Sequence, residues 1–597
     1  MLETYSTRSE PTARSSAASP KEEYLVTNST MLLTLMVALG LAIRIAAWMY
    51  FGTGTIESEG AEYAKIAENF RNGVGFVGLV VPGPQIHFPP LYSLLIAGAS
   101  FFTGDYESAG RLVSLILGAL LPLPVFGIAL RLFNKTVAII AAALSLLHPL
   151  TIYLSFMVLS EGSYATLLLS AVYLVVRALD EPSNRLWPLI GAAFGVCYLV
   201  RAEALGAFAI SLLFALILKG SYLDKVKRIV GGVVILLLFA LPVSIFIYRS
   251  TGKIMLEAKS TSITYLDHRV LAAEKKPGVE FVSAGGLHDV PSPTYVGEGT
   301  VFPWELLWAS YGINANLEET GFAMRPWAET VRNEKIDKRN ILLLVLAGVR
   351  NAIPQLFRQL SSLWLGAPLL PALALFGAFH RPWRGPQALS RAYFMLVTFA
   401  PVAATLFIFW GDNPRYYFIF VPILSIWAAN GLLGIRLWAQ ASMSAAGWET
   451  LNRKPVYHWI LPAFLALVTV TAPIKAVISN WEFSASGPAT RIDKEVGLWL
   501  GSQQRNPIRV MDTSLPLSFH ADAQRHVYFP YTSGELALHY LDAAKVDYIV
   551  LRRGEKYTKY YEEWMEKGIP SPRAELLRPS VSGAEKFVVY RWHHAEP

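Results

Sequence analysis

Cysteine is almost missing: the 597 residues contain one, Cys197, set inside an apolar run. That excludes a disulfide framework and a thiolate metal site, and it argues against redox chemistry. Charge is scarce as well. Asp, Glu, Lys and Arg make up 16% of the chain against 53% hydrophobic residues, with a mean hydropathy of +0.38. Such a balance is too apolar for a soluble protein of this length. No Walker loop, dinucleotide fingerprint, His-Glu-x-x-His or cysteine-pair metal motif is present, which argues against nucleotide-driven pumping within the chain. Present instead are long apolar segments, and they make this a polytopic membrane protein. The net charge of +8 would suggest nucleic acid in a soluble chain. Here the basic residues cluster in short loops between apolar runs, so they orient the protein among membrane lipids and no nucleic acid partner is expected.

The expected fold is mainly α: a bundle of about 11 transmembrane spans, with interfacial helices in the outer loops and a small C-terminal α/β soluble domain. Residues 1–28, rich in Ser, Thr, Ala and Pro, lack an apolar face and are expected to form a disordered cytoplasmic tail. Met31 to Tyr50 is about long enough to span, too long for a signal peptide core and followed by no small-residue cleavage site, so it is expected to be an uncleaved first span. Ten more spans are expected near 109–132, 136–154, 163–179, 186–200, 204–219, 229–248, 365–380, 392–410, 415–435 and 457–476. With the N-terminus inside, Arg131, Lys135, Arg177, Arg185, Lys219, Lys225, Lys227, Arg228, Arg381, Arg384, Arg391, Arg436, Arg453 and Lys454 all fall in cytoplasmic loops, as the positive-inside rule asks.

The same threading puts the 51–108 loop, Ser160-Glu161, Arg201-Ala202-Glu203, the large 250–364 loop and Asp412 to Arg415 outside. Gly60 to Arg71 has an amphipathic pattern ended by Asn72-Gly73, and is expected to rest on the membrane interface. Pro89-Pro90 opens a short apolar helix, Leu91 to Phe102, too short to cross. Arg339 to Trp364, broken at Pro354, suggests a second interfacial segment. The transmembrane part is taken as 29–480. From 481 to 597 the composition changes to that of a soluble domain. Helices are expected at Asp493 to Gln503 and Tyr560 to Lys567, a strand at Ile508 to Met511, a helix-strand pair over Gly534 to Leu551, and terminal strands at Ala574 to Leu577 and Lys586 to Arg591.

The outer loops hold the polar residues that could carry chemistry. Glu57, Glu59 and Glu62 crowd the start of the first-loop helix, where unpaired N–H groups and the dipole favour an ionised carboxylate. Such a group is either a usable base or a solvated loop acid. Glu161 is either a water-facing helix terminus or part of a cavity. Arg201 and Glu203 sit in apolar sequence at an outer turn, either as an ion pair alone or with Arg201 offering its fork of donors to a phosphate. His87 could donate to a phosphate or sit in a wet loop. Tyr416 and Tyr417 fit an interfacial aromatic belt, which leaves Arg415 unexplained. Arg44, midway in the first span, is expected to be a contact inside the bundle.

Glu59-Gly60-Ala61-Glu62-Tyr63-Ala64-Lys65-Ile66-Ala67-Glu68-Asn69, then Gly73-Val74-Gly75-Phe76 and Pro89-Pro90-Leu91-Tyr92, resemble the first outer loop of bacterial GT-C glycosyltransferases. The nearest relatives are those like protein O-mannosyltransferases and the lipid A aminoarabinose transferase. Arg131-Leu132-Phe133, Leu159-Ser160-Glu161, Leu199 to Glu203, and Arg415-Tyr416 followed by Pro422 recur in the family's order, so the resemblance covers about residues 30–435. It implies transfer of a sugar from a polyprenyl-phosphate carrier to a glycan, lipid or protein acceptor on the outer face of the membrane, usually with inversion. It places the chain in the bacterial inner membrane, with the C-terminal domain periplasmic or extracellular. The family's first-loop acid, commonly Asp, falls on Glu59, which has one more methylene to accommodate as a base. Glu161 falls on the second acidic position and joins Glu59 as a catalytic candidate. Tyr63, His87, Arg201, Glu203, Arg415 and Tyr416 are the substrate-binding candidates. No cofactor is required, although a divalent metal could share the work of stabilising the phosphate.

A transporter or flippase of a lipid-linked or small anionic solute is the rival expectation. Against it, the acids cluster on one face rather than near the midplane, and no repeated half with interrupted helices is visible. A scaffold of an envelope complex, using the soluble domain, is a third.

Overall fold

The computed structural model describes residues 20–258 and 361–594, apart from positions 53, 81–82, 363–364, 367, 381–382, 384, 386, 409–417, 449–453, 483–486, 488–489, 504–506, 530–533 and 556–558. In chain order the helices are α1 (Pro20–Phe51), α2 (Ser58–Arg71), α3 (Pro90–Thr103), α4 (Tyr106–Leu120), α5 (Pro122–Leu132), α6 (Lys135–Leu147), α7 (Pro149–Ser155), α8 (Ser160–Asp180), α9 (Leu186–Val200), α10 (Ala204–Ile217) and α11 (Tyr222–Thr251). From residue 361 onward come α12 (Leu369–Phe379), α13 (Ala388–Ile408), α14 (Phe420–Ala445), α15 (Pro455–Thr471) and α16 (Pro473–Glu482).

Apolar sequence alone does not say which helices form the inside of the bundle; burial does. The apolar window of α8 is 72% buried and that of α14 is 78% buried, whereas those of α1 and α11 are 11% and 17% buried. The first pair forms the centre and the second turns its side chains outward, as lipid-facing helices do. Close approach inside the bundle depends on small residues. A Cβ on Gly377 of α12 would stand 1.9 Å from the Trp427 carbonyl of α14, and one on Gly191 of α9 would stand 2.2 Å from the Gly232 carbonyl of α11. Only glycine lets these backbones touch. Arg44 is fully buried. It donates from Nε to Ser155 Oγ at 3.0 Å and from Nη1 to the Gly40 carbonyl at 3.2 Å. It thus braces the break before Pro149, where α6 and α7 bend by 55°, and is the contact inside the bundle that the sequence suggested.

Among the described residues six helices are long and apolar enough to cross a membrane, or seven if the bent α6–α7 pair is one span. The expected eleven are therefore not reached by this measure. The segments at 186–200, 204–219, 365–380 and 392–410 do form apolar helices, but α9, α10 and α12 have 15, 14 and 11 residues, short of the ~20 a perpendicular crossing needs. The first helix begins at Pro20, inside the stretch expected to be a tail; residues 1–19, most of 250–364 and the proposed segment at Arg339 to Trp364 lie outside the described residues.

The C-terminal region is an α/β layer, as its pattern predicts. Its helices are α17 (Arg491–Ser502), α18 (Leu515–His520), α19 (Gly534–Ala543) and α20 (Lys559–Lys567), and its strands β1 (Arg509–Met511), β2 (Arg525–Val527), β3 (Tyr548–Arg552), β4 (Ala574–Leu577) and β5 (Phe587–Trp592). The sheet order is β2-β1-β3-β5-β4, with β1 parallel to both neighbours and β5 antiparallel to both of its own. Two short elements, α18 and β2, had no periodicity long enough to be read in the sequence.

The helix expected at the membrane interface, α2, packs largely into the protein. Gly60 through Ala67 are all buried, because the helix is enclosed by α3, α4 and α18. Ile56, Ala64 and Leu79 of the first loop share one hydrophobic cluster with Leu500, Leu515 and Leu517 of the C-terminal domain.

Candidate active site

Glycine begins the site. A Cβ on Gly60 would meet the Val158 carbonyl at 2.8 Å, so the first turn of α2 packs directly on the segment that leads into α8. Glu57, just before the helix, spends its carboxylate here: Oε2 accepts from the Val158 N–H at 2.8 Å rather than capping α2. Burial pushes its carboxyl pKa up, opposed by the Arg111 guanidinium and the Val158 N–H. Glu62 is also committed to structure. It accepts from the N–H groups of Leu79 at 2.7 Å and Val80 at 3.3 Å, and from Gln85 Nε2 at 2.9 Å, and so folds the loop back toward His87. Of the three first-loop acids, Glu59 alone lines the cleft described next.

One turn separates Glu59 from Tyr63, which puts both on one face of α2. Together with His87 and Pro89-Pro90, Tyr198 and Val200 at the end of α9, Arg201 to Glu203 after it, Val243 and Ile247 of α11, and Leu256 to Ala258, they line a cleft open to solvent. Tyr63 stacks edge-on against Phe88 at 4.8 Å and Tyr92 at 4.9 Å, and its hydroxyl reaches Ser160 Oγ at 3.3 Å. Burial, then Glu59, pushes the phenol pKa up, so Tyr63 is a neutral hydroxyl at physiological pH. His87 is buried beside it, with its backbone N–H on Gln85 Oε1 at 3.0 Å.

Arg201 ends α9 in extended conformation and is held from two sides. Nη1 donates to Glu161 Oε1 at 3.0 Å and Nη2 to Glu203 Oε1 at 3.1 Å. Burial alone would lower its pKa; Glu203 and Glu161 more than offset this and hold it well above the usual value. Its guanidinium also stands 5.7 Å over the Tyr164 ring. The sequence alternatives for Arg201 are therefore not exclusive: it is ion-paired and it lines the cleft.

The structure thus brings together Glu59, Tyr63, His87, Arg201 and Glu203 around one cleft, although Glu59 and Arg201 lie far apart in the chain. Glu161 is buried behind Arg201 and is not part of the lining. Arg415 and Tyr416 lie outside the described residues. Glu257, Tyr198 and Val243 are walls that no sequence signal marks. They carry no motif, and only the return of α11 against α9 places them here. Among the described residues no group of three or more His, Cys, Asp or Glu is arranged to hold a metal.

Residues 87–246 match the family described as dolichyl-phosphate-mannose-protein mannosyltransferase. No curated protein matches the chain. Among solved structures, the apo oligosaccharyltransferase of Archaeoglobus fulgidus is similar with a TM-score of 0.55 at 14% identity, over 88% of this chain and 69% of that one. The same archaeal enzyme, AglB, in complex with an inhibitory peptide and a dolichol-phosphate, gives 0.55 at 11% identity over 88% and 70%. ArnT from Cupriavidus metallidurans bound to undecaprenyl phosphate gives 0.51 at 11% identity over 94% and 98%. A helical bundle with a charged cleft beside its first loop, a family match that takes in part of the cleft lining and these neighbours give this chain the GT-C glycosyltransferase fold.

Proposed function

We propose that this protein is a membrane glycosyltransferase that moves a sugar from a polyprenyl-phosphate carrier to an acceptor hydroxyl at the outer, periplasmic face, with inversion, and with Glu59 as general base. The observation that carries this reading is the shared cleft: a carboxylate from the first loop and an arginine from beyond α9 line the same space. The match of residues 87–246 to a dolichyl-phosphate-mannose family and the lipid phosphates held by two structural neighbours support a lipid-linked donor.

The chemistry is a single displacement. The acceptor oxygen attacks the anomeric carbon, the bond from that carbon to the phosphate oxygen breaks, and the polyprenyl phosphate leaves from the opposite face. Glu59 takes the hydroxyl proton. Arg201 stabilises the charge that builds on the departing phosphate, where a fixed cation acts most strongly in the transition state. Glu161 and Glu203 each engage one edge of that guanidinium and fix its direction, so Glu161 acts through Arg201 as a positioning residue. Tyr63, as a neutral hydroxyl, and His87 complete the polar wall on the donor. Arg415 and Tyr416 remain candidates for the same phosphate.

The test is incubation of the purified protein with a panel of polyprenyl-phosphate sugars, wild type beside Glu59→Gln. Loss of the base lowers kcat by roughly 10²–10⁴-fold, with folding retained. Wild-type turnover in Glu59→Gln, or no turnover of any donor by the wild type, overturns the proposal.

A further inference from the structure

The C-terminal domain grips the loop that carries Glu59. Lys65 of α2 pairs with Asp522 at 2.8 Å. The Leu79 carbonyl accepts from the His526 N–H at 2.9 Å and the Val80 carbonyl from Arg525 Nη2 at 3.1 Å. The first loop thereby occupies the outer edge of β2, the edge strand of the sheet, which would otherwise present unpaired backbone groups. A second line of contacts enters below. Lys494 of α17 pairs with Glu107 at 2.7 Å, Glu107 holds Arg111 at 2.8 Å, and Arg111 donates to the Thr55 carbonyl at 3.1 Å. Thr55 lies four residues before Glu59.

These contacts reach α2 from a different face than the one that lines the cleft. Lys65 lies well over 90° around the helix from both Glu59 and Tyr63 at about 100° per residue. A carboxylate that must meet one hydroxyl proton gains from such bracing, since a misplacement of about 1 Å costs on the order of 10²-fold in rate.

We propose that the C-terminal domain is a positioning element for the general base, with Lys494, acting through Glu107 and Arg111, and Asp522, acting through Lys65, as positioning residues for Glu59. The inference rests on Glu59 being that base, as proposed above.

The test uses the full-length protein carrying Lys494→Met and Asp522→Asn together, beside the conservative Lys494→Arg. Both altered side chains are partly or largely exposed, so the fold is retained and thermal unfolding in detergent checks it. Expected are faster hydrogen exchange over 58–71 with exchange in α8 unchanged, a kcat lower by roughly tenfold, and a KM for the lipid donor within about twofold of wild type. Lys494→Arg behaves as wild type. Unchanged exchange over 58–71, or faster exchange with unchanged kcat, overturns the proposal. If the wild type turns over no donor, the role of Glu59 falls and exchange alone decides whether the two parts are coupled.

Discussion

Both ends of α8 carry an arginine held between two carboxylates, and the arginine at its start lines the cleft. At the start of the helix, Arg201 meets Glu161 at 3.0 Å and Glu203 at 3.1 Å. At its end, Arg131 meets Asp180 at 3.5 Å and Glu181 at 3.3 Å. The 21 residues of α8 separate them by about 30 Å. Each sets an arginine against two carboxylates, with Arg177 joining the second at 3.6 Å; the depth differs most at one carboxylate of each. The Glu161 side chain is 7% exposed and that of Glu181 62%. Water screens Glu181 and lets it move apart from its partners, while Glu161 is fixed among buried neighbours. A charged trio becomes a candidate site through enclosure, and its residue types alone do not provide that.

The sharpest way to break the comparison is to remove each arginine in turn. Arg201→Met takes from the buried Glu161 the cation it meets at 3.0 Å, which costs stability on the order of a few kcal/mol. It also removes the cation proposed to stabilise the leaving phosphate, so turnover of a polyprenyl-phosphate sugar falls at least 10²-fold. Denaturation in detergent and a donor assay read the two effects separately. Equal losses from Arg201→Met and Arg131→Met would show that the two ends of α8 do not differ in the way their burial implies.

A third cluster sharpens the comparison because it titrates. At the domain junction His520 lies 2.7 Å from Thr55 and 3.8 Å from Glu107. Its pKa is depressed to about 4, first by burial, with Lys494 and Arg111 adding to this and Glu107 and Asp105 opposing it. The unfolded chain binds the proton near pH 6.5 and the folded chain does not. His520 therefore contributes stability that is full above pH 6.5 and is lost as pH falls toward 4, on the order of 3 kcal/mol. His526, depressed to about 3 by burial and then Arg552, extends the loss to lower pH. Thermal unfolding from pH 7.5 to 4 should show this slope, and His520→Gln should flatten its upper part. A slope unchanged by that substitution would mean that the junction does not titrate through His520.

Much of the fold was legible in the chain, for reasons that also explain what was not. Apolar runs and basic loops are signals with a direct physical cause, so α1, α4 to α11 and α14 follow from them, as do α17, β3 and β5 in the soluble domain. Whether a 15-residue apolar helix such as α9 crosses a membrane depends on tilt and neighbours, which periodicity does not carry. The amphipathic stripe of α2 announced burial of one face. It did not say that a protein domain rather than lipid headgroups would cover it, because both accept the same apolar residues. At the site, the charge and loop position of His87, Arg201 and Glu203 and the family resemblance around Glu59 and Tyr63 single out five residues, and the cleft gathers all five. The distinct fates of Glu57 and Glu62 were not legible. Three acids in six residues look alike until Val158, Leu79 and Gln85 supply donors that hold Glu57 and Glu62 away from the cleft. Glu107 and Lys494 were invisible for the same reason: their 2.7 Å contact joins positions 387 residues apart.

The smallest expected effect lies at the far end of α8. Glu181→Gln removes a carboxylate shared by Arg131 and by Arg177 at 3.6 Å, yet Asp180 remains beside Arg131 and also accepts from Ser390 Oγ at 2.6 Å. Nothing buried is left unpaired, so stability changes by no more than about 1 kcal/mol, and that change shrinks further as salt screens the exposed pair. Donor turnover should match wild type, because about 30 Å of helix stands between this residue and the cleft. Glu161→Gln, by contrast, strips the same charge from the enclosed cluster and leaves Arg201 with one carboxylate in a buried setting. Measured side by side in low and high salt, the two amides separate an ion pair that water can replace from one that it cannot reach. A loss of turnover in Glu181→Gln as large as in Glu161→Gln would mean that enclosure at the start of α8 is not what makes its charges matter.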